Sequence, residues 1–438
     1  MNSSEYKKYH ESFMQNNQGS TAVHTFMCIL FTLQCTMLCA IIPRRKSSYQ
    51  LILEYFIMVL PLIIAHTAMS DYIYVLNIVI VVILVNVIKR KTNIRQVKET
   101  LLVKNAFQDD KIKSITCLRG LTYLITGFCI LAVDFKQFPR HLAKTEKYGY
   151  SLMDTGVGLF IIISGLVHRD LSKSNYVSVL KGNLKFIIIL ITLGIARYVS
   201  LKKLEYQEHI TEYGVHWNFF FTLAICKLTS TIFLLISSNA LFLSVLTICT
   251  HELFLSIGLQ DWVFGNTDRN NFVNANREGI SSSLGYVSLY LFAVYLKNVL
   301  KNNKFTRGDI VKKLATSALL LIIITLVINT YRPISRTLAN AGYCFYLSTI
   351  TVLGFCVMYP LEMMFQNKKS VFTVPLILFN INNNGLLYFL ICNISTGVIN
   401  MLFRTLLLSN SLSFIILNLY MITNISLTIY LTNKGIKL

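Results

Sequence analysis

Apolar runs long enough to cross a bilayer recur along the whole of this 438-residue chain, and no other feature restricts its fold so severely. A hydrocarbon core offers the backbone no water, so a spanning segment must satisfy its own peptide groups, as a helix does. By the length criterion of roughly 20 apolar residues, about thirteen segments qualify. They begin near Ala22, Leu51, Tyr72, Ile115, Leu152, Leu184, Trp217, Ala240, Leu284, Leu314, Leu338, Leu386 and Leu412. Charged residues make up 14% of the chain, against roughly a quarter in a soluble domain. The expected fold is an all-α polytopic membrane protein with its helices in one bundle. A polar tail (residues 1–21) precedes a single transmembrane domain (residues 22–438). The tail lacks the basic-then-apolar layout of a cleaved signal peptide, so the first apolar run is expected to act as an uncleaved start signal. The stretch Val371 to Phe379 is too short to span and reads as a re-entrant or surface segment.

A net charge of +21 invites a nucleic-acid reading. No basic stripe interleaved with aromatics occurs outside the connections, however, and Lys and Arg collect in cytoplasmic loops of membrane proteins. Connections after odd-numbered spans hold most of them: Arg44, Arg45 and Lys46; Lys89 to Lys113; Arg169 to Lys185; Lys297 to Lys313. The odd connections are therefore expected to be cytoplasmic, with the N-terminus lumenal or external and the C-terminus cytoplasmic. Two polar loops, 134–154 and 260–281, then share the non-cytoplasmic side. The ten cysteines fall in or beside apolar runs without CxxC or Cys/His spacing, so neither a metal site nor a disulfide framework is expected.

The polar constellations admit both a functional and a structural reading. In the loop from Asp134 to Asp154, Asp134 ends an apolar run and Lys144 follows beyond Pro139, which disfavours a continuous helix. The pair is either an acid–base centre acting on a hydroxyl or an ion pair closing two helix ends. Asp154 suits the first turn of a helix, and Gly156, Gly158 and Gly165 on that helix allow close approach. Asn274, Asn276, Arg277 and Glu278 offer donors and acceptors for a polyhydroxylated, phosphate-bearing headgroup, or form an ordinary polar loop. His251 and Glu252 lie near the middle of a span, as a general base or as a hydrogen-bonded structural pair. Asn393, Thr396, Gly397 and Asn400 share one helix face, as interhelical glue or a substrate wall. The remaining histidines form no ligand spacing, and no P-loop, GxSxG or HExxH pattern occurs.

Taken together, these stretches resemble the glycosylphosphatidylinositol (GPI) inositol acyltransferases. The resemblance rests on Val133-Asp134-Phe135, on Phe138-Pro139-Arg140-His141-Leu142-Ala143-Lys144-Thr145-Glu146, and on Tyr148-Gly149-Tyr150-Ser151-Leu152-Met153-Asp154-Thr155-Gly156-Val157-Gly158. Ordered support comes from Glu11-Ser12-Phe13, Asn17 to Thr21, Ala275 to Ile280, Ile334-Ser335-Arg336, Ala339-Asn340, Asn383 to Leu387, Asn393, Thr396-Gly397 and Asn400. The resemblance implies a multi-pass enzyme of the endoplasmic reticulum that moves a palmitoyl chain from acyl-CoA to the inositol of glucosaminyl-phosphatidylinositol. It implies no permanently bound cofactor, acyl-CoA being a cosubstrate. The catalytic pair it implies is Asp134 and Lys144. Arg140, Asp154, Asn274, Asn276, Arg277, Asn393 and Asn400 are the substrate-binding candidates. Rival classes are a multi-span transporter, a non-catalytic subunit of a lipid-linked glycan complex, and an acyltransferase of another family centred on His251.

Overall fold

The computed structural model describes residues 3–43, 47–92, 94–105, 112–170, 176–204, 210–365 and 372–436. Arg44, Arg45, Lys46 and Val371 lie outside the described residues. Among those described, the only β-type pairings are two isolated bridges, Ser20–Tyr150 and Lys104–Thr306.

The helices follow in chain order. The tail forms α1 (Ser3–Met14), then come α2 (Ala22–Ile41), α3 (Ser48–Ala65), α4 (Ser70–Lys91) and α5 (Ile94–Leu102). Next are α6 (Lys113–Ala132), α7 (Leu152–Gly165), α8 (Tyr176–Leu204) and the short α9 (Ile210–Tyr213). After them come α10 (Phe219–Ile236), α11 (Ala240–Phe264), α12 (Arg277–Leu300), α13 (Arg307–Tyr331) and α14 (Ala341–Met364). The chain closes with α15 (Leu376–Asn383), α16 (Gly385–Leu402) and α17 (Asn410–Asn433). Twelve of these are long and apolar enough to span, and α7, at 14 residues, is the thirteenth apolar helix.

Burial sorts the spans into core and rim. The apolar stretches of α2, α6 and α14 are 72% buried and that of α12 78%, against 17% in α4 and 22% in α13. The rim helices turn Ile78, Val79, Val82, Leu319, Leu320 and Leu326 outward, as lipid contact requires. The core is close-packed at small residues. A methyl added to Gly165 would sit 2.6 Å from the Tyr290 carbonyl oxygen and 2.7 Å from Ala293 Cβ, which fixes α7 against α12. One added to Gly120 would sit 2.7 Å from the Leu378 carbonyl, where α15 lies on α6. Gly156 meets nothing within 4 Å.

Three acids inside the bundle cap helices. Glu54, 1% exposed, accepts from Leu376 N and Ile377 N at 2.8 Å each, so the buried end of α15 has its first donors satisfied. Glu362 does the same for α6 through Lys113 N (2.8 Å) and Ser114 N (2.9 Å). Glu252 takes Ala341 N at 2.6 Å at the start of α14, and Arg332 at 2.6 Å. Its neighbour His251 meets the Leu338 carbonyl through Nε2 at 2.8 Å. The His251–Glu252 pair is therefore occupied by the 332–341 connection. Of the segment expected to be re-entrant or superficial, residues 376–379 open the short helix α15, which buries Ile377, Leu378, Asn380 and Ile381 and leaves Phe379 exposed.

Connections gather at two ends. At one, Lys91, Lys113 and Lys297 are docked on the carbonyls of Ile41 (2.6 Å), Phe372 (2.9 Å) and His168 (3.0 Å), and Lys297 also pairs with Asp170 at 2.5 Å. At the other, the tail, the 134–151 loop, α9, the 265–276 connection, the 332–340 connection and the end of α16 come together.

Candidate active site

The 134–151 loop is packed, not solvated. Phe135 and Phe138 are fully buried and pin its first turn beneath the end of α6, and Asp134 N continues the helical pattern to the Leu131 carbonyl at 3.1 Å. Pro139 then starts a single 3-10 turn, Arg140–Leu142, whose Leu142 is buried. Thr145 donates to Asp154 through N (3.1 Å) and Oγ1 (2.7 Å), and Ser151, the N-cap of α7, adds Oγ at 2.8 Å. Gly149 adopts φ +131°, a conformation that suits glycine alone, and donates to the Ile334 carbonyl at 3.0 Å. From the tail, Asn17 Nδ2 reaches the carbonyls of Ala143 (2.8 Å) and Lys144 (2.9 Å).

This frame holds Asp134 at 5% exposure. Its Oδ2 accepts from Asn400 Nδ2 at 2.7 Å, and its Oδ1 lies 3.6 Å from His10 Nε2. Lys144, with a 41% exposed side chain, donates instead to both oxygens of Glu212 at 2.7 Å. Glu212 faces Arg336 at 3.5 Å, and Arg336 donates through Nε to Asp154 at 2.8 Å. Among the described residues no ion pair joins Asp134 to Lys144. A four-member chain, Lys144–Glu212–Arg336–Asp154, runs beside Asp134 instead. Burial raises the Glu212 carboxyl, but Lys144 and then Arg336 outweigh it and hold it down at about 2. Burial likewise works against the Arg336 guanidinium, and Glu212 with Asp154 reverses that, raising it above its ordinary value.

Asp134 and Lys144 both line one cavity of about 1750 Å³. Its polar end is lined by Arg140, Glu212 and the buried Arg277 and Arg336. It then descends between apolar walls: Leu118, Leu121, Ile125 and Cys129 of α6, Leu159 and Phe160 of α7, Phe219 and Phe220 of α10, and Phe389 of α16. From Leu118 to Val133 it follows α6 for about 22 Å at the helical rise. Gly156, free of neighbours, lines it too.

The other expected site residues divide between the cavity and its supports. Asn393, Thr396, Gly397 and Asn400 all line the cavity, so the polar stripe of α16 is a cavity wall; Thr396 also meets the Tyr420 hydroxyl at 3.3 Å, which is glue. Asn393 donates back to the Phe389 carbonyl at 2.7 Å. Arg140 lies at the polar end, 4.9 Å above the Phe13 ring. Arg277 lines the same end with its guanidinium donating to Gly265 O (2.6 Å), to Thr267 O (2.9 Å) and to the Thr267 hydroxyl. Asn274 and Asn276 are not among the lining residues. The first accepts from Trp262 Nε1 at 3.1 Å, and the second accepts from His216 N and donates to Phe272 O, both at 2.8 Å. Asp154 stands behind Arg336 and anchors it. Neither His251 nor Glu252 lines the cavity.

The chain matches the GWT1 family model over residues 6–431, nearly its whole length. It belongs to the GWT1 family. It is 33% identical to GPI-anchored wall transfer protein 1 of Schizosaccharomyces pombe, with 99% of each chain covered. Against GPI-anchored wall transfer protein 1 of Saccharomyces cerevisiae the identity is 33%, with 90% of each covered. Against the human glucosaminyl-phosphatidylinositol-acyltransferase PIGW it is 28%, over 98% of this chain and 99% of the other. The matched span takes in every group of this candidate site, from Tyr6 on α1 to Thr405 beyond α16. Three of those groups escaped the sequence reading: His10, Glu212 and Arg336. The one available signal was Arg336, which stands in a stretch that carried the resemblance.

Proposed function

We propose that this chain is a membrane-embedded acyltransferase that moves a palmitoyl chain from acyl-CoA to an inositol hydroxyl of glucosaminyl-phosphatidylinositol. The observation that carries the reading is Asp134, a buried carboxylate held by Asn400 where a polar mouth meets a long apolar cavity. The apolar walls suit an acyl chain, each buried methylene contributing about 0.8 kcal/mol. The basic residues of the polar end suit phosphate.

In this reading Asp134 takes the proton of the inositol hydroxyl as its oxygen attacks the thioester carbonyl. The C–S bond then breaks, and the departing thiolate recovers the proton from Asp134. Lys144, steadied by Glu212, supplies positive charge to the developing oxyanion. Arg140, Arg277, Asn393 and Asn400 border the space that the headgroup occupies, whereas Asp154, Asn274 and Asn276 act by holding the polar end in shape. The mouth faces the lumen of the endoplasmic reticulum and the lysine-rich end faces the cytoplasm, as the positive-inside rule requires.

The test uses purified protein in detergent with palmitoyl-CoA and glucosaminyl-phosphatidylinositol. Wild type yields acylated lipid, while Asp134→Asn loses about 10²–10⁴-fold in kcat and Lys144→Ala is also impaired. An Asp134→Asn enzyme with wild-type turnover would remove the carboxylate from the mechanism. A folded wild type that makes no product would favour a transporter or a scaffold.

A further inference from the structure

Asp134 has two described partners, and one of them comes from the far N-terminal end of the chain. Asn400 occupies Oδ2, and His10 Nε2 stands 3.6 Å from Oδ1. The carboxylate side chain is 7% exposed and the imidazole 22%, so the pair lies at the edge of the water-accessible mouth.

The helix that carries His10 is anchored on both sides of it. Tyr6, one turn earlier on the same face, brings its hydroxyl to Thr405 Oγ1 at 3.4 Å and accepts from Leu406 N at 3.2 Å. Arg404 lies 5.9 Å from the Tyr6 ring. Phe13, one turn later, lies beneath Arg140. Beyond the helix, Asn16 N donates to Glu146 at 2.6 Å and Ser20 pairs with Tyr150. Tyr6, His10, Gln15 and Asn16 all line the cavity. α1 is thus a strap tied to the end of α16 and to the 134–151 loop, and His10 is the point at which it meets the buried carboxylate.

A carboxylate withdrawn from water needs hydrogen-bonding partners to stay charged. It also needs a fixed rotation if one lone pair is to meet a substrate hydroxyl. Asn400 alone fixes one oxygen and leaves the group free to pivot about it. We propose that His10 is a positioning residue for Asp134: from α1 it steadies the Oδ1 edge while Asn400 holds the other. This rests on the reading of Asp134 as the general base. In the acyl transfer described above, the O–H and C–S bonds break, and the ester C–O and the thiol S–H bonds form. The proton passes from inositol to Asp134 to the thiolate, so His10 ends each turnover with the protons it began with.

The experiment compares full-length wild type, His10→Ala, His10→Gln and Asp134→Asn in detergent, with kcat and both KM values measured on palmitoyl-CoA and glucosaminyl-phosphatidylinositol. Misplacing a catalytic group predicts that His10→Ala lowers kcat roughly ten- to a hundredfold, with each KM unchanged. His10→Gln, which keeps a donor, recovers most of the loss. A merely structural strap would lower the unfolding temperature and would not be rescued in kcat by Gln. If His10→Ala retains wild-type kcat, or loses affinity only, while Asp134→Asn is inactive, the role given to His10 is wrong and the base survives. If Asp134→Asn is itself fully active, it is the underlying reading of the base that fails. Should His10→Ala not survive purification, His10→Leu against His10→Gln decides the matter, since only the leucine variant is expected to fall in kcat.

Discussion

At the residue scale, charge in this protein is spent in linked pairs. Lys144, Glu212, Arg336 and Asp154 form one chain, and the low Glu212 carboxyl is its signature. The folded value of about 2 lies below the ordinary 4.5, so the stabilisation is fully present above about 4.5 and is lost as pH falls toward about 2. Glu212→Gln should therefore lower the unfolding temperature at pH 7, and the gap from wild type should narrow when both are measured near pH 3. Asn400→Ala should keep the fold but cut kcat, since it strips a charge-assisted hydrogen bond, of about 1.5–3 kcal/mol, from Asp134. Steady-state assay beside a thermal melt checks this. Asp134, Lys144 and Asn400 were each singled out in the sequence, but the contacts among them and with His10 and Glu212 were not. A contact between His10, Asp134 and Asn400 joins the tail, the loop after α6 and the end of α16, and no local spacing encodes it.

At the scale of elements, the helices announce themselves through length and apolarity, and their packing through glycine. Gly165→Val should fail to seat α7 on α12, because a methyl there already meets the Tyr290 backbone; over-packing of about 1–3 kcal/mol would appear as a lower unfolding temperature in detergent. What composition conceals is the use of an intramembrane acid. The His251–Glu252 pair admitted a functional reading within its span, yet Glu252, like Glu54, caps a helix start. Glu54→Ala should strand the Leu376 and Ile377 donors at about 1–3 kcal/mol each, destabilising α15 without touching the cavity. α7 is the opposite case: its 14 residues fall short of the usual span, and only its place beside α12 shows where it sits.

At the scale of the whole molecule, the two ends of the bundle differ in kind. One is dressed with lysines docked on carbonyls, and the other gathers the polar loops around the cavity. Single cysteines at Lys147 and Lys304, in a background where exposed Cys249 is replaced, should report the sidedness in sealed microsomes. An impermeant thiol reagent should label the Lys304 position directly and the Lys147 position only after permeabilisation; the reverse pattern would invert the topology. The bond between Tyr6 and Leu406 spans 400 residues of sequence. One side of that clasp is therefore synthesised 400 residues before the other. A nascent chain halted anywhere before α16 holds Asp134 without Asn400 and α1 without its anchor, so the polar end of the cavity closes up only after most of the described helices have been made.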